Sequence, residues 1–212
     1  MARAAHTCSI YYTGTSTATT GEACSVVAGT GGLVYQITDA ARRIIDPSVS
    51  PTVYDNAVDV TSAVSLNYLF GRITFGVAPT TPVTIDCNFM PRHEITETRE
   101  FSISMNADVP DTTVLDTTGF REKVHGLIDA SGSLTALDIG LTDFGGGTLA
   151  AWLTSQDSKV LEFNLVDEII RAWAVIESVE PSGSVDGVVE LSVGWSLNAQ
   201  LSGTVAFGFI AA

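Results

Sequence analysis

Cations are scarce in this 212-residue chain, and their scarcity excludes a class of function. Lysine and arginine together number 10 against 24 aspartates and glutamates, which gives a formal net charge of −14. Arg42 and Arg43 form the single pair of adjacent basic residues. A chain this acidic has no basic patch that could neutralise phosphates, so we exclude sequence-specific nucleic-acid binding. The acidity is greater in residues 126–212, which hold 11 acidic residues and 2 basic ones.

Cysteine is also scarce, and long apolar segments are absent. Cys8, Cys24 and Cys87 are an odd number with no CxxC spacing, so the sequence supports neither a zinc site nor a disulfide framework. We interpret them as free thiols of a reducing compartment. The N-terminus lacks the apolar core of a signal peptide. Residues 191–212 carry no charge, but polar residues interrupt them and their first half alternates, so we predict no membrane span.

The motifs that carry catalysis are missing. His6, His93 and His125 lie far apart, and no Gly-x-Ser-x-Gly nucleophile motif occurs. Ser131 and Ser133 lie near His125, but we interpret them as residues beside a turn whose hydroxyls bond the backbone. We therefore predict no catalytic residues, and that the protein is not an enzyme.

Cofactor and metal motifs are missing as well. Thr148 follows Gly145–Gly147 directly and no lysine is near, so we interpret the glycines as a linker into a helix rather than a phosphate loop. Five carboxylates lack the spacing of a calcium-binding loop, and we interpret them as solvated turn residues: Asp138, Asp143, Asp157, Asp167 and Glu168. We predict no cofactor-binding and no metal-binding residues.

The residues that are plentiful favour β structure. Hydrophobic residues make up 45% of the chain, and threonine, serine, glycine and valine suit strands and turns. In the first third we predict a strand at 33–37 and a short helix at 38–45, capped by Thr38 or Asp39. Turn signals at Asp55-Asn56 and at Gly71 predict two hairpins.

The later part of the chain alternates over longer runs. Residues 92–106 alternate as one overlong strand, and a strand that projects beyond its core usually meets water or another subunit. We predict the best helix in 144–154, capped by Thr148, with Leu149, Trp152 and Leu153 on one stripe. Further strands are predicted at 83–87, 133–141, 159–165, 169–179, 185–197 and 205–210.

These patterns predict a mainly β protein of about ten strands. The expected fold is a β-barrel or sandwich with one packed α-helix, an extended N-terminal arm and a long hairpin. The expected organisation is an arm at 1–32 and a single β domain at 33–212, of which 33–80 could be an added meander.

Three blocks of sequence carry a resemblance to a known family. The pattern Thr-Thr-x-Gly-x-Arg, followed by Gly-Leu-x-Asp-Ala-x-Gly-Ser, is matched by Thr117, Thr118, Gly119 and Arg121, then by Gly126, Leu127, Asp129, Ala130, Gly132 and Ser133. A second block is the run 172–193, with a turn at 181–184 and a return strand that opens at 185–189. The third is 34–47. Together they resemble the phage major tail protein, or tail tube, family.

The resemblance implies a structural virion protein. Members of that family form hexameric rings that stack into the tail tube, which encloses the tape measure protein and later conducts DNA without binding it specifically. It implies as partners further copies of the chain, the tape measure protein, and the tail tip or baseplate and tail terminator proteins. It also implies location in the virion tail after assembly in the host cytoplasm. We expect the hairpin of 92–106 and its neighbour to line or rim the lumen, where carboxylates would repel phosphate.

One alternative from another class stays open. A monomeric β-sandwich decoration module, or a receptor- or carbohydrate-binding module, would expose clustered aromatic residues on one face. Trp152, Trp173 and Trp195 are the candidates, but their place on apolar stripes favours the core.

Overall fold

In the computed structural model the described residues are 8–95, 98–108, 127–137, 146–183, 189–198 and 205–211. They contain one α-helix, α1 (Gly146–Ser155). The strands are β1 (Ser9–Thr13), β2 (Thr17–Val26), β3 (Val34–Ile37), β4 (Thr52–Asp55), β5 (Val58–Asp59), β6 (Val64–Asn67), β7 (Arg72–Phe75), β8 (Val83–Phe89), β9 (Arg92–Glu94), β10 (Thr98–Ala107), β11 (Ile128–Leu137), β12 (Lys159–Leu165), β13 (Glu168–Ser182), β14 (Glu190–Leu197) and β15 (Phe207–Ala211). The prediction of a mainly β protein with one α-helix is confirmed.

The strands form two sheets. The first has the order β10-β11-β14-β13-β12-β1-β9, with β15 paired to β13, and the second has the order β5-β4-β8-β2-β3-β7-β6. The chain divides into two compact units. Unit 1 comprises Met1–Thr96, Ser158–Ala174 and Asn198–Ala212, and unit 2 comprises Glu97–Asp157 and Val175–Leu197.

Unit 1 contains the second sheet and a part of the first. The inner face of the second sheet forms an apolar core that includes Ile37, Val53, Ile73 and Ile85, each fully buried. A second apolar cluster joins loop residues to strands of the first sheet: Ile44, Leu69, Phe70, Val160 and Trp173. Side chains alternate between the two faces of each strand, and each strand buries the side chains of one face. Short strands that lie side by side can therefore build this core.

The local turn predictions in unit 1 are confirmed. β4 and β5 form a hairpin in which Asp55 pairs with Val58, and the turn residues Asn56 and Ala57 have positive φ. β6 and β7 form the second hairpin, with Gly71 at φ +58° in the turn. The predicted helix at 38–45 is shorter than expected, a 3-10 turn at Ala40–Arg42 whose cap, Asp39, accepts a hydrogen bond from Ala41 N at 2.9 Å.

The single overlong strand predicted at 92–106 is wrong. The segment is two strands, because β9 pairs with β1 whereas β10 pairs with β11. Between them Ile95 is 3% exposed and donates its backbone N–H to Ile10 O at 2.8 Å. The sequence alternates in both strands, because alternation is typical of extended backbone. It does not reveal which neighbouring strand each segment pairs with.

The N-terminal segment contains β1 and β2. β1 lies between β12 and β9, and β2 lies between β8 and β3. The structure describes a single chain, so the boundary between an arm at 1–32 and a domain at 33–212 stays a prediction, as does a contact of that arm with a neighbour.

Unit 2 contains β10, β11, β14, the later part of β13, and α1. Helix α1 begins at Gly146, so the prediction that Thr148 caps it is wrong: Thr148 lies inside the first turn. Trp152 is 4% exposed, and its indole N–H donates to Asp157 O at 2.6 Å beyond the end of the helix. Part of the prediction of a turn at 181–184 is wrong, because Pro181 and Ser182 are the last residues of β13, and Ser184 lies outside the described residues.

Candidate assembly interface

The hairpin of β10 and β11 is the principal candidate surface of unit 2. The two strands pair antiparallel in continuous register from Glu100–Thr135 to Ala107–Ile128. On its other side β11 pairs with β14, from Ser131–Ser196 to Leu137–Glu190. Alternation then assigns each side chain of the three strands to one of two faces.

One face of these strands is apolar and mostly buried. It presents Ala130, Leu134 and Ala136 of β11 and Leu191, Val193 and Trp195 of β14, each 2% exposed or less. On β10 the same face carries Phe101 and Ile103, which are half-buried, and then Met105, which is 48% exposed. The apolar face therefore becomes progressively more exposed from β14 toward the end of β10.

The opposite face is a ladder of hydroxyl groups. We call it the hydroxyl face; it comprises Ser102, Ser104, Ser131, Ser133, Thr135, Ser192 and Ser196. Ser102 Oγ and Ser133 Oγ lie 2.9 Å apart, and Thr135 Oγ1 and Ser192 Oγ lie 3.3 Å apart. Cross-strand hydroxyl pairs of this kind stabilise a sheet without adding charge.

Gly132 is central to this packing. A Cβ at this position would lie 2.1 Å from Ser102 O and 2.8 Å from the ring of Trp195. We interpreted the segment around Gly132 as a turn, with Ser131 and Ser133 beside it; that prediction is wrong, because all three lie in the middle of β11. The glycine provides room for the buried tryptophan rather than freedom for a turn.

The end of the hairpin is exposed on both faces. We call it the hairpin tip; it comprises residues 104–108 and 127–129. Leu127 is 85% exposed, Ile128 is 68% exposed and Met105 is 48% exposed. Three large apolar side chains at one exposed end are the kind of surface that marks a protein contact.

Strand β10 is also an edge of its sheet. Among the described strands it has one hydrogen-bonded neighbour, β11. Its ten residues contain no proline and no lysine, and its charges, Arg99 and Glu100, stand near its start. Arg99 Nη1 pairs with Glu190 Oε1 at 2.5 Å. Natural edge strands are usually protected against pairing by charges, proline or bulges, and the later part of β10 has none of these.

The structure contains part of the sequence signature. Leu127, Asp129, Ala130, Gly132 and Ser133 lie at the tip of the hairpin and in β11. The earlier signature residues, Thr117, Thr118, Gly119, Arg121 and Gly126, lie outside the described residues. The sequence predicted a hairpin of 92–106 and its neighbour, but it did not show that β10 is an edge strand, because edge position depends on the order of strands in the sheet.

The three tryptophans do not form an exposed binding face. Trp152 is 4% exposed, and Trp173 and Trp195 are 1% exposed each. The prediction that they belong to the core is confirmed. A binding module that recognises sugars by stacking on these residues would need them at the surface.

The cysteines are free thiols, as predicted. Burial raises the pKa of Cys24 to about 12, and the neighbouring Cys87 and Glu22 add to the shift. Burial likewise raises the pKa of Cys87 to about 11, with Glu22 and Asp86 adding to it. A thiol that stays protonated is a poor nucleophile and a poor metal ligand.

The remaining titratable residues show no convergent site. His93 packs beside Tyr12, with ring centroids 5.4 Å apart, while His6 and His125 lie outside the described residues. In the part of the chain that the structure describes, no three histidine, cysteine or carboxylate side chains converge as metal ligands would. No helix in that part combines the length and apolar character needed to cross a membrane.

Comparisons with known proteins give the following similarities. No family model and no curated protein matches the sequence. A chain in the virion of a native gene transfer agent particle is 20% identical, with a TM-score of 0.48 over 57% of this chain and 89% of that chain. A chain in the tail of an empty gene transfer agent particle, refined with C6 symmetry, is 21% identical, with a TM-score of 0.47 over 57% and 87%.

A third similarity is to a chain in the six-fold symmetrised baseplate of the anti-feeding prophage. It is 7% identical, with a TM-score of 0.41 over 56% of this chain and 83% of that chain. All three TM-scores are below 0.5.

Proposed function

We propose that this chain is the structural subunit of a phage-type tail tube and that it assembles with copies of itself into stacked hexameric rings. The observation that carries the proposal is the hairpin of unit 2, in which the unprotected later part of the edge strand β10 leads to an exposed apolar tip. The same hairpin contains the later half of the tail tube signature, from Leu127 to Ser133.

The edge of β10 supports lateral assembly. Addition of a strand from a second copy would satisfy the backbone N–H and C=O groups that the edge presents. A contact that is repeated head-to-tail closes into a ring when its rotation permits, and six copies is the number that the family resemblance implies.

The hairpin tip supports a further contact. Leu127, Ile128 and Met105 expose apolar surface that a subunit interface would remove from water. Burial of such surface stabilises association by roughly 25 cal/mol per Å² before the costs of association are subtracted.

The hydroxyl face is our candidate for the lumen wall. Between its ends it carries hydroxyl groups and no cation, so it offers no group that would retain a phosphate by charge. Carboxylates stand at its ends, with Glu100 beside Thr135 and Asp129 two residues before Ser131, and Arg99 at the Glu100 end is paired with Glu190. A wall of this kind suits a conduit through which DNA passes without specific binding.

The partners of this subunit are further copies of the chain, a tape measure protein inside the tube, and tail tip or baseplate and tail terminator proteins at its ends. The location is the virion tail, after assembly in the host cytoplasm. The role is structural, without a catalytic step, cofactor or metal and without membrane insertion.

The test compares an edge position with a central one. We would replace Ser104 on β10 or Ser133 on β11 by lysine, because both serines are exposed and both lie on the hydroxyl face. Wild-type protein should form rings or hollow tubes in electron micrographs over a range of concentrations. Ser104→Lys should prevent them, since a lysine on an edge strand opposes strand addition.

Ser133→Lys is the matched control, because β11 is already paired on both sides. It should retain assembly. Wild-type protein that stays monomeric at high concentration, also after addition of the tail tip complex, would contradict the proposal and favour a monomeric decoration or receptor-binding module. Equal assembly by both variants would contradict the role of the β10 edge.

A further inference from the structure

Two arginines of unit 1 differ from the other described arginines in having no carboxylate partner. Four arginines pair with a carboxylate at 2.5–2.7 Å: Arg42 with Glu22, Arg92 and Arg171 with Glu162, and Arg99 with Glu190. Arg43 and Arg72 form no such pair with any residue in the described part of the chain. In a chain of net charge −14, two cations without carboxylate partners require an explanation.

The fold holds these two arginines close together. Gly71, which precedes Arg72, has φ +58°, and a Cβ there would lie 2.8 Å from Arg43 O and 3.0 Å from Arg43 Cα. The turn before β7 therefore contacts the backbone of Arg43 directly. Arg72 also pairs in register with Gln36 of β3, and Gln36 and Arg43 line the same pocket.

That pocket is open, and its lining combines the apolar Val26, Val27 and Ala28 with polar residues. Its volume is about 290 Å³, and its polar lining residues are Ser25, Gln36, Thr38 and Arg43. The hydroxyl oxygens of Ser25 and Thr38 lie 2.6 Å apart. The side chain of Gln36 is oriented by a hydrogen bond that its Nε2 donates to Phe70 O at 2.9 Å.

The Arg43 side chain is fixed in advance. Its Nε donates to Ile37 O at 2.9 Å, and its Nη2 lies 3.4 Å from Thr38 O. The Nε of Arg72 is buried and has no hydrogen-bond partner among the described residues. A fixed guanidinium loses little freedom when it binds a carboxylate, and the two groups match in geometry.

The charges themselves favour an incoming anion. Burial lowers the pKa of Arg43 and the neighbouring charge of Arg92 lowers it further, while the carboxylate of Asp39 opposes the shift without forming an ion pair with Arg43. Burial also lowers the pKa of Arg72, where the charge of Arg43 adds to the effect. Two cations that are partly desolvated and repel each other are stabilised when a negative charge is placed beside them.

We infer that Arg43 and Arg72 form a carboxylate-binding site on unit 1 that receives an acidic side chain of a second copy of this chain. The inference rests on the proposed function and adds a charged contact to its subunit interfaces. A second copy is the occupant that the charges favour, because residues 126–212 of each copy hold 11 acidic residues and 2 basic ones. In a head-to-tail contact every copy can both offer and receive such a side chain.

The test measures assembly at low and high ionic strength. The double variant Arg43→Gln, Arg72→Gln removes the site, and Arg42→Gln is the matched control, since it removes an adjacent cation whose carboxylate partner, Glu22, belongs to its own chain. Circular dichroism and urea unfolding first establish that each variant folds. Sedimentation then gives the concentration at which half of the protein assembles.

We expect the double variant to need at least about tenfold more protein to assemble at low ionic strength, the effect of losing a desolvated charge pair. High ionic strength should reduce this difference, and Arg42→Gln should match the wild type. Assembly of the double variant at the wild-type concentration, while the wild type forms tubes, would overturn this inference alone.

A binding assay with inorganic phosphate distinguishes a second copy of the chain from a small anion as the occupant of the site. If phosphate binds the monomeric wild type but not the double variant, and the double variant assembles as the wild type does, the second copy is overturned as the occupant. Wild-type protein that never assembles would overturn the proposed function and this inference together. Phosphate that competes with assembly of the wild type, and has no effect on that of the double variant, would support it.

Discussion

Two glutamates show how differently the two units use charge. In unit 1, Glu162 is 1% exposed and binds two arginines, with Oε1 at 2.6 Å from Arg92 and Oε2 at 2.7 Å from Arg171. In unit 2, Glu190 is 37% exposed and binds one, Arg99. The first carboxylate is buried and connects β12 to β9 and β13, whereas the second lies at a surface that water reaches.

The difference continues in the other interactions of the two units. Arg171 also donates to Leu69 O, and its guanidinium lies 5.2 Å from the ring of Phe70. Burial lowers the pKa of Arg171, and Glu162 opposes that shift. The Glu162 network thus satisfies its buried charges within unit 1. Unit 2 presents an edge strand, an exposed tip and a hydroxyl face on which Ser102, Ser104 and Ser133 are exposed.

The largest effect on stability should come from breaking the buried network. Glu162→Gln would leave two arginines near a neutral amide, and the loss of one partner of a buried pair costs about 3–5 kcal/mol. Urea unfolding monitored by circular dichroism measures the free energy of unfolding. Glu190→Gln is the control and should cost about 1 kcal/mol or less. Equal costs for the two variants would remove the contrast between the units.

The next effect tests the packing of unit 2. Gly132→Ala would place a Cβ 2.1 Å from Ser102 O, which is backbone and cannot move away cheaply. We expect a loss of about 1–3 kcal/mol in the free energy of unfolding. Gly76→Ala is the matched control, since a Cβ there meets no atom within 4 Å. A Gly132→Ala protein as stable as the wild type would show that β10 and β11 separate easily.

Part of this fold follows from local sequence. The turn at Asp55-Asn56, the turn at Gly71 and the strand at Lys159–Leu165 were predicted correctly, because each depends on residues within a few positions of one another. Turn residues and alternation are local signals. The family resemblance likewise identified β11 as part of the candidate surface.

The rest depends on contacts between distant residues. Nothing in the alternation around Ile95 records that β9 and β10 have different partners. Gly132 resembled a turn glycine because the residue that requires it, Trp195, lies 63 positions further along the chain. Glu162 resembled a solvent-facing residue, and sequence does not show that β12 is covered on both faces.

A smaller effect should appear on acidification of unit 1. Asp59 accepts hydrogen bonds from the hydroxyl and the backbone N–H of Thr61, at 2.7 and 2.9 Å, and these hold its pKa below the ordinary value of 3.8. A lowered pKa in the folded state contributes stability that is complete above the ordinary value and is lost as the pH falls through the folded value. Asp59→Asn should therefore flatten the decline in stability below about pH 4.

Urea midpoints across this acidic range would measure that change. The variant and the wild type should differ in slope rather than in their neutral-pH midpoint, because an asparagine oxygen can still accept from Thr61. A decline of the same steepness in both proteins would mean that other carboxylates determine the acid sensitivity of unit 1.

The smallest effect on folding should come from the hairpin tip, and it is the one that sharpens the comparison most. Ile128 is 68% exposed in unit 2 and Val77 is 81% exposed in unit 1. An aspartate at either position should change the free energy of unfolding by no more than about 0.5 kcal/mol. Assembly should separate them: Ile128→Asp would place a charge in the proposed contact and prevent rings, whereas Val77→Asp would leave them intact. Loss of rings in Val77→Asp, with rings retained in Ile128→Asp, would move the principal contact from unit 2 to unit 1.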